Sequence, residues 1–359
     1  MGFYNFLFIA PAMVLSVILV YMTKYKSKKV KNIVIISLAS LFFLSYFPNL
    51  LSKDVIDYAV NFNGIFSKNK AIFMQTLRTF TLASYFIVSL LPFTKNKGMG
   101  NLVVLFVLPV SVLNLGLIDF NLEAMNGLNF SYLSRQAIFF GIQQALAITM
   151  AMYIIFANTN RTDFKDYKRL LKNILITLPF IILLGVPTST FQMFFGLTGH
   201  RLVNFGDYHR IALVLTFALI PTMYFVLRKK SYDVRYLAVL FIALSGFVHF
   251  YRLYSWPFTW SALPAHLCNA AMLLIPVSLA LKSKKVFYFT YFFNTIGALI
   301  ALIIPNTSGD MFLNSNVHFW YEHIIAFYLP ILVVAIGVMP RPKFKEYKWA
   351  LFVFTIYFM

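Results

Sequence analysis

The stretch FYNFLFIAPAMVLSVILVYM (residues 3–22), followed at once by TKYKSKKVK (23–31), decides the fold. A helix needs roughly 20 mostly apolar residues to cross a bilayer, and residues 3–22 supply them. No basic residue precedes the run, and Lys24, Lys26, Lys28, Lys29 and Lys31 follow it. A cleaved secretory signal carries the opposite charge order and a small-residue cleavage site, so the stretch reads as an uncleaved first helix.

The rest of the chain repeats this alternation. Apolar residues make up 60% of the 359, charged residues only 12%, and the mean hydropathy is +0.76. Such a composition lies outside that of soluble domains. Further apolar spans are expected at Ile33–Leu51, Ala71–Phe93, Gly100–Phe120, Gln136–Ala157 and Ile174–Leu197. Five more are expected at Ile211–Leu227, Tyr236–Tyr254, Thr259–Leu281, Val286–Pro305 and Val317–Met339. A run from Trp349 stops at Met359, about half the required length, so the sequence is expected to lack final segments. The fold class is therefore all-α, a polytopic transmembrane bundle of 11–12 helices.

The net charge of +20 is explained by topology rather than by nucleic acid. Lys and Arg gather in alternate loops, at residues 24–31, 95–97, 161–172, 228–235, 282–285 and 341–348. By the positive-inside rule this places the N-terminus outside and predicts a multi-pass plasma-membrane protein, with a composition suggestive of a bacterium. The basic loops are expected to meet anionic lipid headgroups. No cofactor and no protein partner is indicated.

A weak internal repeat accompanies this plan. Gln75-Thr76-Leu77-Arg78 through Lys95 resembles Leu263-Pro264-Ala265-His266 through Lys282 in layout. A helix opening with Gln136, Gln143 and Gln144 answers one with His318, Glu322 and His323. Both copies would enter the membrane in one direction, the parallel type of repeat. The halves are drawn at 1–209 and 210–359.

Polar groups in such a chain are costly in hydrocarbon and ask for a function. His200, His209, His249, His266, His318 and His323 all fall toward the outer side, with Arg252, Asp310, Glu322 and the single cysteine, Cys268. Pro264 suits an early helix position, putting His266 and Cys268 in the first turn or two, where the helix dipole favours a thiolate. His266 and Cys268, two apart, point to different sides, so a base for the thiol must come from another helix, His323 or His318. The competing reading is that Cys268 is a small buried filler.

His266 and Asn269 share a face and would bind a headgroup or simply bond helix to helix. Glu322 would orient a histidine or face the water boundary, and Arg78 would pair with Glu322, receive a phosphate or snorkel. Trp256, Trp260, Trp320 and Tyr321 read as an interfacial aromatic belt. Histidines five apart do not fit the zinc-helix spacing, so no metal site is assigned.

Leu263-Pro264-Ala265-His266-Leu267-Cys268-Asn269, the basic turn Lys282–Lys285, Asn294 with Gly297, Pro305 and the later His318-Phe319 to His323 follow one another as in a known family. Across about the final third, from Val248 to Met359, the chain resembles the YwaF family of integral membrane proteins, which takes in the eukaryotic transmembrane protein 164. The resemblance implies a phospholipid acyltransferase with Cys268 as nucleophile and His266 or His323 as base. Asn269 or Arg252 would then face the oxyanion. Members of that family carry further helices beyond the region matching Tyr347–Met359 and need less than this long first half. The residues themselves leave two other classes open. One is a transporter or lipid translocator with its polar site between two repeat halves, and the other is a non-catalytic scaffold.

Overall fold

A computed structural model describes the chain except residues 1, 52–67, 120–130, 132–133, 158, 198, 200–202, 254–265, 308 and 359. Every element among the described residues is helical. Eight of the helices are long and apolar enough to cross a membrane. The chain is thus a multi-pass membrane protein with a helical bundle fold.

It divides into two compact units, Met1–Leu175 and Ile176–Tyr254 with Trp260–Met359. The first holds α1 (Gly2–Thr23), α2 (Lys28–Leu51), α3 (Lys68–Leu90), α4 (Lys97–Gly116) and α5 (Arg135–Phe156), followed by the short α6 (Tyr167–Ile176). The second begins with two short helices, α7 (Leu178–Gly185) and α8 (Ser189–Phe195). Its core comprises α9 (Asp207–Leu227), α10 (Tyr232–Leu253), α11 (Leu267–Leu281), α12 (Lys284–Ile303) and α13 (Asn314–Ala335). The last element is α14 (Phe344–Phe358).

One expected span is corrected. Residues Ile174–Leu197 form parts of three short helices, α6 to α8, rather than one. Pro179 removes an amide at the start of α7, and Val186, extended at φ −73° and ψ 115° before Pro187, ends it. The residue before a proline is pushed out of the helical region.

The two units share one plan, and the repeat is more extensive than its sequence suggests. In the first, α5 packs on α1, α2 and α4, while α3 packs on α2 and α4. In the second, α13 packs on α9, α10 and α12, while α11 packs on α10 and α12. Both α4 and α12 consist of six α-helical residues, a five-residue π-turn (Val103–Val107, Thr290–Asn294) and nine α-helical residues. Both α5 and α13 have 22 residues. The connectors α1–α2 and α9–α10 each end in a serine, Ser27 or Ser231, whose hydroxyl accepts from the amide three residues on. Such a serine satisfies one of the orphan amides at a helix start.

A matching pair of long-range bonds locks each copy. Lys31, in the first turn of α2, donates from Nζ to the carbonyl of Ala157, the C-cap of α5, at 2.7 Å. Arg235, in the first turn of α10, donates from Nη1 to the carbonyl of Ile336, the C-cap of α13. A cation suits a helix C-terminus, where carbonyls lack intrahelical partners. Gly337, at φ +71°, turns the chain just beyond and brings the amides of Gly337 and Val338 back onto Val334 and Val333.

The outer and inner helices of the second unit are equally distinct. The apolar window of α9 is only 11% buried, and Val214, Leu215 and Phe225 face outward as lipid-compatible surface. That of α10 is 83% buried, so α10 is the central helix against which the polar groups of the unit are assembled.

Arg235→Gln is expected to destabilise the protein by about 1–3 kcal/mol, because it strips the C-cap carbonyl of its donor. Arg235→Lys, the residue type used in the first unit, should recover most of that in thermal unfolding in a neutral detergent.

Candidate functional site

The interiors of the two units differ where their scaffolds agree. Gln143 and Gln144 are the ninth and tenth residues of α5, and Glu322 and His323 are the ninth and tenth of α13. In the first unit the amides close an uncharged network. Gln143 meets the Tyr85 hydroxyl and donates to the Ser45 carbonyl at 3.1 Å. Asn114 donates to Gln144 and to the Thr81 hydroxyl, each at 3.0 Å. The buried polar atoms there hold one another, as they must in an apolar bundle.

The second unit carries charge at the same helical level. His318 Nε2 lies 3.4 Å from Glu322 Oε2, one turn along α13, with both side chains about 5% exposed. Glu322 Oε1 is buried with no hydrogen-bond partner among the described residues, and so is Asn294 Oδ1. His323 Nδ1 sits 2.7 Å from the Phe319 carbonyl. A carbonyl only accepts, so Nδ1 carries a hydrogen, and in the neutral ring Nε2 presents its lone pair. The histidine is therefore held in the tautomer that takes up a proton at Nε2.

α10 supplies the next wall. The Tyr321 hydroxyl donates to Ser245 Oγ at 2.7 Å, and Ser245 passes its own hydrogen to the Ile242 carbonyl. His249 stands edge-on to the Tyr321 ring, centroids 5.0 Å apart. Gly246 brings the helices together. A Cβ there would meet Met272 Sδ at 2.8 Å and Ile325 carbons at 3.3 Å, so α10, α11 and α13 approach to the limit set by a missing side chain.

α11 opens at this junction. His266 is its N-cap residue, exposed and without a side-chain capping bond, and Leu267, Cys268 and Asn269 form the first turn. Cys268 is half-buried and near enough to Glu322 for the carboxylate to act on it electrostatically. Asn269 is buried. Asn294, the last residue of the π-turn in α12, donates its amide to the Leu267 carbonyl, while Gly297 leaves Leu267 side-chain atoms 3.7–3.8 Å from its Cα substituent position. The π-turn thus fixes the turn that bears the cysteine. π-Bulges of this kind recur at functional sites.

Several sequence expectations change here. His209 does not join the outer polar group. Its Nδ1 accepts from the Phe205 amide at 2.7 Å, so Nε2 donates to the Leu302 carbonyl at 2.9 Å and ties α9 to α12. Trp320, expected in an aromatic belt, is 4% exposed and packs on His209. Tyr321 sends its hydroxyl inward to Ser245. Arg78 is half-buried on α3 of the first unit. His200, Trp256, Trp260 and Pro264 lie outside the described residues, as does the Arg252 side chain. Among the described residues no group of three or more His, Cys, Asp or Glu is placed to hold a metal ion. Sequence reasoning missed Ser245 and Gly246, which carry no chemical signature alone. Asn294 and Gly297 it took as part of the family pattern.

Residues 205–359, which include α9 to α14, match the model of the TMEM164 family. No curated protein and no solved structure matches the chain.

Glu322→Gln is expected to leave the thermal stability unchanged or raised, since the amide keeps an oxygen facing His318 while removing the cost of a buried carboxylate. The reverse change in the other copy, Gln143→Glu, should cost about 3 kcal/mol by placing a charge in a satisfied amide network. Melting curves of the two variants check both.

Proposed function

We propose that the TMEM164-family part of this chain is a phospholipid acyltransferase working through a thioester on Cys268. The observation that carries the reading is that one unit supplies both groups the reaction needs. Cys268 lies in the first turn of α11, and His323, on the adjoining α13, has its Nδ1 on the Phe319 carbonyl, so that a neutral ring offers Nε2 as the base.

In the first half-reaction Cys268 Sγ attacks the ester carbonyl of a membrane phospholipid, and its proton passes to a histidine. His323 suits this role by tautomer, with His266 as the alternative base. The C–O bond to glycerol breaks, and the histidine returns the proton to the departing lysolipid oxygen. In the second, a lysolipid hydroxyl gives its proton to the histidine as its oxygen attacks the thioester. The C–S bond then breaks, and the thiolate recovers the proton. The carbonyl oxygen needs a donor while it bears charge, and Asn269 or Arg252 would supply it. His318, paired with Glu322, would bind the headgroup phosphate, and Arg78 is the remaining candidate for that task. The reading sets the chain in the plasma membrane of a bacterium with its N-terminus outside. That puts Cys268 toward the outer face and the basic connectors inside.

The shared plan of the two units favours one other class, a carrier built from parallel repeats. The two separate at the thiol. Cys268→Ala is expected to abolish a hydroxylamine-sensitive fatty acyl adduct on the purified protein and the associated change in cellular phospholipid profile. His323→Ala should trap the adduct by slowing the second step by about 100-fold or more. An adduct that survives Cys268→Ala, or unchanged profiles with no adduct in the parent, would sink the acyltransferase reading in favour of a carrier. A carrier would tolerate loss of the thiol and depend on Glu322.

A further inference from the structure

The connectors at the basic ends of the two units are equivalent in position and differ in how their cations are paired. In the first unit the corner lies between the start of α4 and the loop leading to α6, and two of its cations are paired with carboxylates. Lys97, which opens α4, is 2.6 Å from Asp163 Oδ1, and Arg169 reaches Asp166 at 3.0 Å. Asn101 Oδ1 accepts from the Thr162 hydroxyl at 2.7 Å and the Asp163 amide at 2.9 Å. Buried Arg161 donates to the Thr94 and Leu91 carbonyls and to Asn32. The loop lies flush on the helix, for a Cβ on Gly100 would collide with the Arg161 carbonyl at 1.8 Å.

The second unit has the same corner, between the start of α12 and the loop leading to α14, and it is open. Here a cavity of about 520 Å³ is lined by Lys284, Lys285, Arg341, Lys343 and Lys345, with Glu346 as its one carboxylate. Glu346 is already engaged, accepting the Lys343 amide at 2.8 Å as it caps α14 and lying 3.9 Å from Lys345. Among the described residues no carboxylate pairs with the side chains of Lys284, Lys285, Arg341 or Lys343. Tyr288 and Trp349 form the aromatic walls. Beside the cavity α14 exposes an apolar face, with Phe344 72%, Phe352 64% and Ile356 57% accessible.

We infer that this corner is a binding site for a phosphate-bearing anion, and that its occupant is the headgroup of an anionic glycerophospholipid. Five cations around one engaged carboxylate repel one another unless a counter-charge enters from outside, and basic pockets at the cytoplasmic ends of membrane helices take anionic headgroups. The start of a 15-residue helix adds amide groups that favour an anion. A free phosphate ester would meet the charges equally well. It would leave the exposed apolar face of α14 uncovered, whereas acyl chains lying along that face cover it. The inference rests on the membrane reading and is independent of acyl transfer, because Cys268 begins α11 while Lys284 follows the end of α11.

The test uses the full chain, purified in a neutral detergent and stripped of lipid, and follows its melting temperature during titration with phosphatidylglycerol, phosphatidylcholine or glycerol 1-phosphate. Phosphatidylglycerol is expected to raise the melting temperature and phosphatidylcholine to leave it unchanged. The triple variant Lys284→Gln, Arg341→Gln, Lys343→Gln should lower the affinity for phosphatidylglycerol roughly 100-fold. The same charge change made elsewhere, Lys24→Gln, Lys26→Gln, Lys29→Gln, should not. Should the triple variant fail to fold, the single change Lys343→Asp, which supplies an acid as the first unit does, is expected to weaken the response by itself. Equal responses in the two triple variants would overturn the site. A stabilisation by glycerol 1-phosphate as strong as that by phosphatidylglycerol would overturn the lipid as occupant and assign the corner to a soluble phosphate ester.

Discussion

A cation at the C-terminus of the fifth helix holds each unit together. The last carbonyls of a helix have no intrahelical partner, and at a membrane boundary they cannot rely on water alone. Lys31 serves the C-cap of α5 and Arg235 that of α13, each from the first turn of the second helix of its copy. The bond fixes the register of the fifth helix against the second. Gln143 and Gln144 on α5, and His318, Glu322 and His323 on α13, take their heights from that register. The same residues count toward the positive charge of the connectors, so one set of side chains sets orientation and internal alignment together.

With the register fixed, the two copies are comparable residue by residue. At the ninth and tenth positions of the fifth helix the first copy spends Gln143 and Gln144 on a closed network with Tyr85, Asn114 and Ser45. The second places Glu322 and His323 there and leaves Glu322 Oε1 and Asn294 Oδ1 buried without partners among the described residues. Burial of an unmatched acceptor is unfavourable, and a network left partly open is worse for stability than an apolar one. The second unit therefore gives up stability at the level where Cys268 begins its helix, which is where a reacting group would need donors and acceptors to spare.

Much of this was legible in the sequence because hydrophobic runs and basic connectors follow from the bilayer alone. Those signals set the helices, their alternation and the multi-pass character. The pairing of Gln143 and Gln144 with Glu322 and His323 was visible as a shared layout. Other features were not, for physical reasons. The break at Thr177–Pro179 and Pro187 was hidden by apolar residues on both sides, since hydropathy does not register a missing amide. The π-turns ending at Val107 and Asn294 differ from α-helix by one extra residue per turn and leave no compositional mark. His209 looked like a candidate for chemistry until both ring nitrogens were accounted for. Ser245 and Gly246 became informative only when Tyr321 and Ile325 were found against them.

The asymmetry runs through the whole of each copy, and that is the strongest argument that it is functional. Two bundles with the same packing plan, the same π-turn and an equivalent clamp still differ inside and at their basic corners. The first closes an amide network at the level of Gln143 and pairs two cations of its basic corner with carboxylates, while the second has His318 beside Glu322 at that level and one engaged carboxylate among five cations at its corner. The packing plan that the copies share does not call for the difference, whereas a ligand seen by one copy alone would. Among the described residues, the unpartnered acceptors of Glu322 and Asn294 near the first turn of α11, and the cations without carboxylate partners beyond its last, are where the proposed ligands would meet the second unit.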